Sequence, residues 1–112
     1  MNLKRFSYGS QFVDKKDIDL AYDNCDKKLI SALEKAAERI SVYHELQLPK
    51  NINFVDDSNV SLSSRWSPID SVGLYVPGGK ASYPSSVIMT AIPAKIANVP
   101  DVSMCVPSPN GY

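Results

Sequence analysis

A chain of 112 residues has room for one small domain at most, and its 44% hydrophobic and 21% charged residues argue against disorder throughout. Twelve Lys and Arg balance twelve Asp and Glu, so no net field draws the chain to nucleic acid or to an anionic membrane. The opening MNLKRFSYGSQF has no continuous apolar stretch and is neither a signal peptide nor a membrane span, which makes a cytoplasmic location the default expectation.

Val13 to Ile18 reads as a helix entry, with Asp14 as N-cap and Asp17 placing negative charge in the first turn of a short helix ending near Asn24. From Asp26, the apolar residues Leu29, Leu33, Ala36, Ile40 and Tyr43 recur at steps of three and four. That spacing predicts a second helix to about Gln47, with these residues on one face and Glu34, Lys35, Glu38 and Arg39 on the other. Pro49 closes it, and Lys50 to Asn59 reads as a polar linker with a turn at Asp56-Asp57-Ser58-Asn59.

Val60 to Trp66 alternates apolar and polar side chains, as a strand wet on one face does, and its partner is not evident from the sequence. After Pro68, the stretch Val72 to Val76 is more uniformly apolar, as strands inside a parallel sheet are. A helix is expected after Pro84, capped by Ser85 or Ser86 and kinked or split at Pro93. Asn98 and Pro100 end it, and Val102 to Val106 is the next strand. The chain therefore reads as α/β, with a helical N-terminal region and polar linker over residues 1–59 and the start of a βαβ unit over 60–112. A parallel pair needs further strands and covered faces, so the expectation is a part of a larger protein.

The turn Val76-Pro77-Gly78-Gly79 follows a strand and precedes a helix, where open α/β sheets bind nucleotides. Glycine there lets the backbone approach a ligand or take a positive φ, and the helix N-terminus favours anions. There is no GxGxxG, no Walker lysine motif and no ribose-reading acid, so on these residues alone a plain turn is the simpler reading. Tyr83, Ser85 and Ser86 fit helix capping better than phosphate binding, and Lys80 a solvated loop. His44, the single histidine, reads as a helix-end residue rather than a metal ligand. Asp56 and Asp57 read as turn formers, Trp66 as packing, Cys105 as a buried, inert thiol, and Cys25 and Cys105 as a reduced, unpaired set.

Gly73-Leu74-Tyr75-Val76-Pro77-Gly78-Gly79, with Tyr83 to Met89 and Ala91 to Lys95, resembles a block of bacterial histidinol dehydrogenases. Ser7 to Phe12, Ile40 to Gln47 and Val106 to Gly111 resemble flanking elements of the same family more weakly. The resemblance implies an enzyme that oxidises L-histidinol to L-histidine in two NAD-dependent steps, with zinc orienting the substrate. It further implies a Rossmann-like sheet of aldehyde-dehydrogenase-like architecture and a homodimer. Tyr75, with Pro77, Gly78 and Gly79, would line the NAD site. The family's zinc ligands and its Glu-His acid/base pair fall beyond the point matched by Tyr112, so no catalytic or metal-binding residue is assigned in this chain, which alone is expected to be inactive. The competing expectations are a free-standing, non-catalytic module that binds a nucleotide or phosphate through the glycine turn, and an interaction segment acting through the Asp26 to Gln47 helix.

Overall fold

The computed structural model describes residues 13–78 and 83–107. In chain order these form α1 (Lys15–Asp23), α2 (Lys27–Glu45), β1 (Ile52–Val55), β2 (Ser61–Ser64), β3 (Ser71–Tyr75), α3 (Pro84–Ile96) and β4 (Asp101–Cys105). The mixed α/β class expected from the sequence is observed, as two separate two-stranded sheets, one antiparallel and one parallel.

Asp14 is the N-cap of α1, although its side chain makes no capping hydrogen bond. Asp26 does cap α2, accepting from the Lys28 N–H at 2.8 Å. Removing that acceptor leaves an unpaired donor at the helix start. Asp26→Ala is therefore expected to cost about 1 kcal/mol, read as a lower thermal midpoint, while Asp26→Asn retains the cap. α2 packs against α3. Its half-buried arc is Ile30, Leu33, Ala36, Ala37, Ile40, Ser41 and His44, so the stripe expected from the sequence is only partly the covered one. Leu29 and Tyr43 stay exposed at 47% and 61%. The apolar arc of this helix is broad, and α3 covers one side of it.

Within the stretch read as a polar linker, Ile52–Val55 is a strand, and it is the partner that Ser61–Ser64 lacked in the sequence. The reason lies in Asp56, whose carboxylate accepts from the N–H groups of Ser58 and Val60, both at 2.8 Å. Asn59 takes a left-handed φ of 60°. This side-chain-built turn fixes the register of the hairpin. At the open end, Asn51 Oδ1 accepts from the Trp66 N–H at 2.8 Å. Both strands are exposed along their length rather than wet on one face, with Phe54 directly opposite Leu62. Trp66, expected to pack, is 59% exposed.

Strands β3 and β4 pair in parallel through α3, from Ser71 opposite Asp101 to Tyr75 opposite Cys105. Pro84 opens α3 at its first turn, where a missing N–H costs nothing. Its N-cap is Tyr83, without a side-chain cap bond, so neither Ser85 nor Ser86 caps it. The helix runs through Pro93 as one element rather than two. It ends at Ile96 with Ala97 as C-cap, and Asn98, at a φ of 58°, turns the chain while Val99 N–H donates to the Ala94 carbonyl.

Among the described residues only Leu74 and Val76 are buried hydrophobics. The accessible surface is 10023 Å², where a compact monomer of 12.3 kDa would expose about 6,100 Å². No helix among the described residues is long and apolar enough to cross a membrane.

Candidate cofactor turn at the carboxyl end of the parallel pair

Alternation along β3 points Leu74 inward, with Val76 just beyond the strand on the same side, beneath α3. Ser71, Gly73 and Tyr75 take the opposite face, and the parallel register sets Asp101, Ser103 and Cys105 beside them. The strand is thus apolar on one face rather than on both, because α3 covers a single side. Tyr75 and Cys105 lie level at the carboxyl end of the uncovered face. Tyr75 is 66% exposed and Cys105 is exposed too, contrary to the buried thiol expected.

From Val76 the chain leaves the sheet through Pro77 and Gly78, both exposed. The ladder extends one step further, since Val76 N–H donates to the Cys105 carbonyl at 2.9 Å. A Cβ placed on Gly78 would lie 3.2 Å from the Pro107 carbonyl oxygen and 3.4 Å from its Cδ. Gly78 does not occupy the left-handed region, so what glycine supplies here is room for a close approach of two turns. Gly79 and Lys80 lie outside the described residues. Tyr83 is the N-cap of α3, which starts at the same end of the sheet, as a βαβ connection requires.

The remaining candidates fall elsewhere. His44 sits in the last turn of α2, edge-on to Tyr43 with ring centroids 5.4 Å apart. Asp56 builds the hairpin turn. Asp101 has a buried Oδ1 without a partner among the described residues. It begins β4, about 13 Å of strand from the turn, too far to share a ligand with it at one point. No group of three or more His, Cys, Asp and Glu among the described residues could hold a metal ion. Pro107 had no assigned role in the sequence, and the signal for it was a glycine in a turn that needs space rather than a positive φ.

A parallel strand pair with an exposed tyrosine, a glycine turn and a following helix N-terminus gathered at its carboxyl end is an arrangement suited to a nucleotide. The family model described as Histidinol dehydrogenase matches residues 3–112. Among curated relatives, the histidinol dehydrogenase of Gluconobacter oxydans (strain 621H) is 55% identical over 83 residues, 74% of this chain and 19% of that protein. That of Mesorhizobium japonicum is 54% identical over 99 residues, covering 88% of this chain and 23% of the relative. A crystal structure of histidinol dehydrogenase from Elizabethkingia anophelis superposes with a TM-score of 0.79 at 30% identity, over 85% of this chain and 22% of that one. The chain spans about a fifth to a quarter of the length of the relatives it matches.

Proposed function

Because the chain belongs to the histidinol dehydrogenase family, we propose that it supplies one wall of the NAD site in an enzyme oxidising L-histidinol to L-histidine in two NAD-dependent steps. The observation that carries this reading is the placement of Tyr75, Pro77 and Gly78 together at the carboxyl end of the β3–β4 pair.

Bound NAD would supply the hydride acceptor. The chain's own residues act on position. The exposed Tyr75 ring offers a flat apolar surface with a hydroxyl at its tip, suited to a cofactor ring or ribose. Gly78, without a side chain, lets the backbone lie close to the cofactor; Gly79, next in sequence, is proposed to line the same site. The N-terminus of α3 favours the negative charge of a pyrophosphate. The described residues do not form a zinc site, and the zinc that the family uses is proposed to be held by residues outside this chain.

The finer architecture belongs to the same proposal. The parallel pair starts a Rossmann-like sheet of aldehyde-dehydrogenase-like architecture, and the enzyme works as a cytoplasmic homodimer. Residues 1–59 and 60–112 divide by role, helical packing against nucleotide binding, while the β1–β2 hairpin spans the two. The test is the coding sequence beyond the Tyr112 codon. An open frame supplying the family's Gln, His and Asp ligands and its Glu-His pair is the expected result. A stop codon there would overturn the proposal and leave a non-catalytic module that binds nucleotide or phosphate.

A further inference from the structure

We infer that Pro107 is a positioning residue for the cofactor turn. It acts through Gly78, so that the two turns leaving β3 and β4 behave as one unit. This deepens the cofactor-site reading above and rests on it.

Gly78 faces the Pro107 backbone so closely that a Cβ would meet the carbonyl oxygen at 3.2 Å, the ring Cδ at 3.4 Å and the ring Cβ at 3.7 Å. Two of these three contacts belong to the proline ring, and the third is the backbone carbonyl of the same residue, whose φ the ring holds near −65°. Neither neighbour can step aside as a flexible side chain would. The Val76 N–H to Cys105 carbonyl bond ties the roots of both turns together two residues earlier. Tyr75, the residue proposed to touch NAD, lies between that tie and the strand body, level with Cys105. The height of the Pro77-Gly78 backbone over the sheet end is thus set from just beyond β4, by a residue with no proposed contact to the cofactor.

The test uses a chimera in which this chain replaces the matching segment of the Mesorhizobium japonicum relative, assayed for NADH formation from L-histidinol. Gly78→Ala is expected to raise KM for NAD about tenfold while kcat stays within about twofold, because a displaced turn weakens binding without entering the chemistry. Pro107→Ala removes only the ring Cδ contact, but it frees φ, so that the retained carbonyl, the closest neighbour at 3.2 Å, can withdraw from Gly78. In that background Gly78→Ala should cost much less, leaving the double variant within about threefold of the parent KM. Multiplicative effects of the two substitutions would overturn the inference, since a methyl that blocked NAD directly would not be relieved from Pro107. Loss of thermal midpoint with KM unchanged would also overturn it, as the contact would then be structural only. If Gly78→Ala gives no folded protein, Pro107→Ala alone decides: a raised KM at unchanged kcat supports the inference, and an unchanged KM sinks it. Tyr75→Ala in the same chimera separates the two layers. If it leaves KM for NAD unaltered, the cofactor-site reading fails; if it raises KM while the turn pair is additive, only the Pro107 inference falls.

Discussion

Val76→Asp in the chimera is expected to lower folding stability by about 3 to 5 kcal/mol, the cost of a buried charge without a partner. Val76 is only 2% exposed, the most buried hydrophobic residue among those described. It sits where β3 ends, its N–H already engaged with the Cys105 carbonyl, so the backbone cannot turn the new carboxylate outward without breaking the ladder. The carboxylate would face α3, whose one basic residue, Lys95, lies in the last turn and is exposed. Thermal or urea unfolding of the purified chimera measures the loss. A midpoint within a degree of the parent would mean that the apolar side of β3 is not a core at all.

Tyr75→Ala should behave in the opposite way. The ring is 66% exposed, so its removal gives up little burial and the melting curve should scarcely move. KM for NAD is expected to rise about tenfold at near-constant kcat, the size of one lost aromatic contact of about 1 to 1.5 kcal/mol. Tyr75→Phe retains the flat surface and should lose less, the difference reporting whether the hydroxyl contributes a hydrogen bond. The contrast between Val76, stability without specificity for NAD, and Tyr75, the reverse, follows from the alternation of adjacent residues on a strand.

Much of the element order was legible because its signals are local. Asp14 and Asp26 stand before their helices, Pro84 opens α3, and Asn98 turns the chain after it. Each depends on a residue's own geometry and not on what packs over it. The position of Tyr75 beside the glycine turn was legible for the same reason, as strand and turn adjoin in sequence.

What the sequence hid was non-local. β1 is four residues long between Asn51 and Asp56, and its pairing depends on a carboxylate that bonds two backbone N–H groups across a turn. Periodicity in so short a segment carries no signal. The rotation of α2, with Ile30 and His44 partly covered and Leu29 and Tyr43 bare, depends on where α3 lies. Trp66 and Cys105 are apolar or weakly polar side chains whose composition suggests burial, yet both are exposed. Residue type says which surfaces gain from being covered; only the packed neighbours say which are. The Gly78–Pro107 approach joins residues 29 apart in sequence, and no local pattern reports it.

The central claim, that this chain forms one wall of a histidinol dehydrogenase NAD site, is tested most directly by steady-state NADH formation in the purified chimera. The expected result is L-histidinol-dependent reduction of NAD, two equivalents per L-histidinol consumed, with a KM for NAD that rises on Tyr75→Ala. A chimera that melts like the parent enzyme and shows no L-histidinol-dependent NADH formation would contradict it.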